Sequence, residues 1–172
     1  MVFVGLPTSA RLTYVAPAPQ LDEAVYEIFC QETTMQYIPF LYRMPVEAWA
    51  ARRSLHRSMM TDATGACFDV LNTATGAVVG TCGFRVIDLV KGEAEWGVIL
   101  SETSTGLGYC REMHDACMAW AKRQGVHRVT AATWTTNSRM NELLLRYGWT
   151  FDKLLTDDFG DWNEYSMINR DP

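Results

Sequence analysis

The sequence lacks most of the features that announce a function class at once. Its 172 residues contain no C-x-x-C pair, and the five cysteines, Cys30, Cys67, Cys82, Cys110 and Cys117, are odd in number. Neither a disulfide framework nor a zinc ribbon is expected, and the thiols read as reduced. The three histidines, His56, His114 and His127, have no i, i+4 partner and no cysteine or carboxylate at ligand spacing, so no metal site is expected. Positive charge is in deficit: 15 Lys+Arg stand against 20 Asp+Glu, a formal net charge of -5. This argues against nucleic acid or an anionic membrane surface as partner and favours cationic ones. No apolar run approaches the roughly 18 residues that span a bilayer, and the start, Met1 to Pro7, has no basic n-region. A soluble, cytoplasmic protein is the expectation. Repeats, low-complexity stretches and linkers are missing too, so the 48% hydrophobic content is expected to fill the core of one domain spanning 1–172.

What is there alternates between strand and helix patterns. Arg11 to Val15 reads as a strand, and Leu21 to Gln31 has helical spacing through Leu21, Val25, Ile28 and Phe29. An aromatic loop over 33–44 precedes a helix opened by Pro45 and running through Trp49, Arg52, Arg53 and His56. Ala66 to Leu71 and Ala77 to Ile87 flank a turn as an antiparallel hairpin, and Glu93 to Leu100 is a third strand. Its alternation puts Glu93, Glu95, Gly97 and Ile99 on one face and Ala94, Trp96, Val98 and Leu100 on the other. Leu107 to Gln124 predicts a helix with an apolar stripe from Leu107 to Ala121, basic residues in its last turn and Gly125 as its stop. His127 to Trp134 follows as a strand, Asn137 to Tyr147 as a helix, and 149–155 with 162–168 as a closing strand pair around Asp157 to Gly160. The expected class is α/β with a mixed central sheet flanked by helices and a β-α-β crossover in its second half.

The segment richest in chemistry is the strand Glu93–Leu100, the turn Thr103-Ser104-Thr105-Gly106-Leu107-Gly108, and the helix behind it. A strand, a glycine-bearing turn and a helix N-terminus in this order gather unpaired N–H groups and the positive helix pole at one point, a place for a phosphate. A third glycine near Arg111 and a Gly-Lys-Ser/Thr are both absent, so dinucleotide and nucleoside triphosphate folds are excluded.

This order of elements resembles the GNAT acyl-CoA N-acyltransferase family, in particular its ribosomal-protein N-terminal acetyltransferase branch, over nearly the whole chain. The family's pyrophosphate signature, Gln/Arg-x-x-Gly-x-Gly/Ala, falls on Thr103 to Gly108, with both glycines present and Thr103 in place of the Gln/Arg. His127-Arg128-Val129-Thr130-Ala131 resembles the family's fifth strand. Asn137 with Leu143, Leu144, Tyr147, Gly148 and Trp149 resembles its following helix, and Gly160-Asp161-Trp162 with Tyr165 and Met167 its last strand.

The resemblance implies acetyl-CoA as co-substrate and a primary amine, on a small molecule or a protein N-terminus, as acceptor. By resemblance, a bulge at Gly97 splays two strands. Pantetheine enters the gap, and acetyl-CoA meets Gly97, Val98, Leu100, Thr103, Ser104, Thr105, Gly106, Leu107, Gly108, Tyr109 and Asn137. Glu95 occupies the acidic position of the family's Ala-Glu-x-Gly pattern and is the first candidate for the base that takes the amine proton, with Glu93 second. The tyrosine that many members use as acid falls on Leu144 here, and Tyr147, one helical turn on, is the remaining candidate. Tyr37, Phe40 and Tyr42 are candidates for the acceptor pocket, and Asp157, Asp158, Asp161 and Glu164 for attracting a cationic acceptor. A non-catalytic acyl-CoA binding or sensing domain is the alternative, and a monomer or homodimer the expected assembly.

Overall fold

A computed structural model describes residues 3–169; Met1 and Val2 of the N-terminal segment and residues 170–172 lie outside it. Seven strands form one sheet in the order β1-β2-β3-β4-β5-β7-β6. The first four, β1 (Leu12–Val15), β2 (Ala66–Asn72), β3 (Val78–Asp88) and β4 (Glu93–Leu100), form an antiparallel meander. The last three, β5 (Arg128–Trp134), β6 (Thr150–Asp157) and β7 (Gly160–Ile168), are antiparallel as well, with β7 between the others. The two groups meet where β4 runs parallel to β5, linked by α4 (Tyr109–Arg123) as the crossover. The mixed sheet and the crossover agree with the sequence expectation.

The alternation along β4 divides the molecule into two cores, as its period of two requires. Ala94 and Trp96 join the core beneath α4, with Met113, Cys117, Trp120, Phe68 and Phe84, while Ile99 packs on the opposite core of Val25, Phe29, Met35 and Trp49. That second core is supplied by α1 (Asp22–Phe29), the short α2 (Glu32–Met35) and α3 (Val46–Asp62). A pair of side chains closes it against the sheet: Arg53, 1% exposed, meets Asp69, also 1% exposed, through two hydrogen bonds of 2.9 and 2.6 Å. Among the described residues no helix is long and apolar enough to cross a membrane.

Three local expectations change. The loop over 33–44 contains α2 and a tight turn at Pro39–Leu41, because Gln31 and Thr34 tie it to the end of β4: Glu102 N donates to Gln31 Oε1 at 2.9 Å and Thr34 Oγ1 to Leu100 O at 3.2 Å. The apolar stripe of α4 starts at Tyr109, since Leu107 precedes the helix and is half exposed, its carbonyl taken by Arg11. The bulge lies on β3 and not at Gly97: Phe84 pairs with Trp96 and Val86 with Glu95, leaving Arg85 as the extra residue, while Gly97 sits in register with Gly83. At Gly83, φ is +141° and a Cβ would stand 2.0 Å from the Ala66 carbonyl oxygen, so close strand approach requires this glycine.

Candidate active site

The parallel pairing of β4 with β5 covers only Glu93 with Arg128, Ala94 with Val129 and Glu95 with Thr130. Beyond Glu95 the two strands part. Trp96–Leu100 then has β3 on one side and no strand on the other, and the wedge between β4 and β5 opens into cavities of about 400 Å³ and about 720 Å³. Val98, Leu100, Asn137 and Met140 line both, so the two cavities meet at the wedge.

The smaller cavity is bounded by Ser104, Thr105, Gly106, Gly108, Tyr109, Cys110 and Arg111 from the turn into α4, and by Arg139, Leu143 and Tyr147 from α5 (Ser138–Arg146) and its end. Gly108 is the residue before α4 and has φ +81°, a left-handed conformation that favours glycine. The backbone N–H groups of Gly106 through Arg111 donate to no acceptor among the described residues, the state in which a helix start binds an anion. Cations surround this turn. Arg11 donates from Nη1 to Leu107 O at 3.1 Å and from Nε and its backbone N to Glu112, and Arg111 and Arg139 line the cavity. Arg11 and Arg111 are paired with Glu112 and Asp115, and Arg139 forms no ion pair among the described residues, so Arg139 is the unpaired positive charge near the turn where Thr103 replaces the Gln/Arg of the signature. Thr103 itself faces Ser101, and neither it nor Leu107 lines a cavity.

Tyr147 stands at this cavity, with the Arg111 guanidinium 4.5 Å above its ring. Burial and the nearby Cys110 thiol push its phenol up to about 12, so it carries its proton at neutral pH. Its ring packs on His114 at 4.8 Å. Trp149 Nε1 donates to His114 Nε2 at 3.0 Å, which leaves the proton on Nδ1 facing Asp115 at 2.8 Å. Burial lowers the His114 pKa and keeps this imidazole neutral. Leu144, the position of the family's tyrosine, is buried in the core. Asn137 lines both cavities, but its carboxamide is committed to the fold: it accepts from Met140 N at 3.2 Å and donates to Thr133 Oγ1 at 3.0 Å, capping α5.

The larger cavity lies on the α1–α3 face. Glu95 and Gly97 line it, as do Tyr37 and Phe40; Tyr42 does not, and packs instead against the Val25–Phe29–Trp49 core with Arg43 over its ring. Glu95 is held by Arg85, whose Nη2 lies 2.6 and 2.7 Å from its two oxygens. The bulge residue thus faces the strand residue it offsets. Glu93 sits at the other end of β4, 3.5 Å from Arg128 and lining neither cavity. Of the acidic hairpin, Asp157 reaches the cavity, but its Oδ1 accepts from Phe159 N, Gly160 N and Trp162 Nε1, contacts that lower its pKa. It serves the turn. Phe159 stacks on Phe40 with centroids 4.6 Å apart, closing the rim. Sequence reasoning missed Arg52 and His56 at this cavity, because polar residues on a long helix read as a solvated face, and Arg85, because its place at the β3 bulge depends on pairing with β4.

The sheet thus opens between two parallel strands, with a turn of unpaired amides beneath the opening and a carboxylate beside it. The chain belongs to the GNAT acetyltransferase family, whose acetyltransferase (GNAT) domain matches residues 11–150, and it is an acyltransferase. Solved structures share the fold at low identity. The ribosomal L7/L12 α-N-protein acetyltransferase RimL in complex with coenzyme A is 17% identical with a TM-score of 0.83, covering 95% of this chain and 97% of that one. The microcin C7 self-immunity acetyltransferase MccE in complex with acetyl-CoA and AMP is 17% identical with a TM-score of 0.81, covering 92% of each. Spermidine N-acetyltransferase from Vibrio cholerae in complex with CoA and spermine is 15% identical with a TM-score of 0.79, covering 92% and 96%. No curated protein matches the chain in sequence.

Proposed function

We propose that this protein, a single domain over its whole length, transfers an acetyl group from acetyl-CoA to a primary amine by direct attack. The observation that carries the reading is the parting of β4 from β5 after Glu95, with free amides on one side of the wedge and a carboxylate on the other. Neighbours of the same fold hold CoA or acetyl-CoA, which supports the choice of acyl donor. The residues fit it: Gly106 and Gly108 leave the backbone open where a pyrophosphate would lie, since a Cβ on Gly106 would meet nothing within 4 Å.

In the transfer, the amine nitrogen forms a bond to the acetyl carbon, the carbon–sulfur bond breaks, one proton leaves the nitrogen and the thiolate gains one. The turn amides and Arg11, Arg111 and Arg139 hold the phosphates. The unpaired edge of β4 at Gly97 and Val98 offers main-chain donors to the thioester oxygen, stabilising the charge that grows there. Glu95 receives the amine proton, directly or through water, from the side opposite the turn. Tyr147, protonated at neutral pH, returns a proton to sulfur. Tyr37 and Phe40 flank the acceptor.

The experiment is a thiol-release assay with acetyl-CoA against a panel of amines, beside CoA-induced thermal stabilisation of the protein. Stabilisation with release supports the proposal. Stabilisation with no release from any amine overturns the transfer and leaves an acyl-CoA binding domain; Leu144 in place of the family's tyrosine is the observation favouring that reading.

A further inference from the structure

The larger cavity is lined by a guanidinium, that of Arg52, that pairs with no carboxylate among the described residues. Around it, Arg53 is bonded to Asp69 and Asp22, Arg57 to Asp22 and Arg85 to Glu95. Arg52, on the same face of α3, forms no ion pair or hydrogen bond among the described residues; its guanidinium lies 5.8 Å from the centroid of the Phe29 ring. Its Nε is fully buried and unpartnered, as is Nδ1 of His56 one turn on, and both residues line the cavity. The cavity lining carries three guanidiniums, Arg52, Arg53 and Arg85, and three carboxylates, Asp69, Glu95 and Asp157; Asp69 and Glu95 are taken by Arg53 and Arg85 and Asp157 by its own turn, which leaves Arg52 without an anionic partner among the described residues. Burying donors without acceptors costs free energy, and a site that does so is completed by an acceptor from outside.

The floor between Arg52 and the wedge is smooth. Cys67, Gly83 and Gly97 are in register across β2, β3 and β4, and Arg52 lies beside Cys67, whose thiol burial pushes up to about 11 and keeps neutral. Gly83 carries no side chain because Ala66 O is too close, and a Cβ on Gly97 would meet nothing within 4 Å. Two strand spacings of about 4.8 Å put the Cys67 end of this row about 10 Å from Gly97. Burial and the neighbouring arginines drop His56 to about 4, so at neutral pH it contributes a hydrogen bond and no charge.

We infer that Arg52 and His56 form an anion subsite of the acceptor cavity, so that the amine acceptor carries a carboxylate or phosphate about 10 Å from its reacting nitrogen. This rests on the proposed amine transfer and departs from the expectation from net charge that cationic acceptors are favoured, because the one lining guanidinium without an anionic partner among the described residues is that of Arg52. Free α-amino acids do not fit, because their carboxylate lies next to the amine. A short acidic peptide with an extended N-terminus or an ω-amino acid or phosphate does.

The test uses four primary amines of similar length: 8-aminooctanoate, its carboxamide, 1,8-diaminooctane and 6-aminohexyl phosphate. Binding to the CoA-loaded protein is measured by calorimetry and transfer by thiol release. The two anionic amines are expected to bind at least tenfold more tightly than the amide and the diamine. Arg52→Gln is expected to reduce that ratio at least tenfold, with Arg52→Lys restoring part of it, and circular dichroism reports that each variant folds. Comparison of carboxylate with phosphate names the anion. Equal affinity for all four, preference for the diamine, or an unchanged ratio in Arg52→Gln would overturn the subsite. Transfer to all four at equal efficiency would remove the subsite and keep the proposed transfer; charge-dependent binding without transfer to any would do the reverse.

Discussion

Gly97 offers a sharp separation of stability from activity. Its φ lies outside the left-handed region and a Cβ built there meets nothing within 4 Å, so the protein itself does not need a glycine at this position. Replacing glycine in a compatible conformation restricts the unfolded chain and stabilises by about 0.4–1 kcal/mol, and a β-branched residue suits a strand further. For a chain of this size each kcal/mol moves Tm by about 2–4 °C, so Gly97→Ala is expected to raise Tm by about 1–4 °C. The space the new side chain enters is the larger cavity where it meets the wedge, beside the place assigned to the reacting groups. Gly97→Val should therefore fold at least as stably as the parent and lose on the order of 100-fold or more in kcat/KM, the loss that follows a misplacement of about 1 Å in reacting groups. The control is Gly83→Ala in the adjacent strand, where the Cβ would stand 2.0 Å from Ala66 O; it is expected to lower stability by about 1–3 kcal/mol through overpacking. Thermal melts and thiol release on the three variants decide the matter. A Gly97→Val protein that is less stable yet fully active would refute the reasoning at both ends.

Glu95→Gln is expected to lower kcat by about 10²–10⁴ at neutral pH and by less at alkaline pH, where the amine is already neutral, whereas Glu93→Gln changes little; pH–rate profiles compare them. Tyr147→Phe should depress kcat more than KM, and because burial holds the parent phenol near 12, the parent profile should show no falling limb from this group below about pH 11. Asp69→Asn removes the buried partner of the Arg53 guanidinium and leaves it only the partly exposed Asp22, and should cost about 3 kcal/mol in urea unfolding. Asp157 has a folded pKa below its unfolded value, so its contribution is present above the ordinary aspartate range and fades as pH falls through the folded pKa. Asp157→Asn should therefore flatten the acid side of the stability–pH curve.

The elements that the sequence made legible are those whose pattern is set by burial on one side. The eight residues of β4 alternate between two cores, and α4 carries one wide apolar stripe, so period alone located both. The turn into α4 was legible because Gly106 and Gly108 both adopt positive φ, and that chemistry is written in the residue type. What stayed hidden depends on contacts across the chain. The bulge falls on Arg85 because of pairing between β3 and β4, and a sequence shows no register. Tyr42 turns from the cavity and Tyr37 faces it, although nothing distinguishes two tyrosines in an irregular stretch. Arg52 and Arg53 are adjacent arginines on one helix, yet one finds Asp69 and the other finds no partner; that difference comes from β2, sixteen residues from Arg53.

The narrow joint between the two halves of the sheet has a consequence for how the chain assembles. Within β1–β4 and within β5–β7 most neighbours are joined by hairpins or short connections, so each half closes small loops and can form early. Only three residue pairs, Glu93 to Glu95 with Arg128 to Thr130, bind the halves as strands, and they require α4 to have closed the crossover first. Docking of the halves is therefore expected to come late in folding, and the wedge to exist only once it is complete. Amides of Arg128–Thr130 that face β4 should lose protection from hydrogen exchange in an opening smaller than global unfolding, ahead of those that β5 shares with β7.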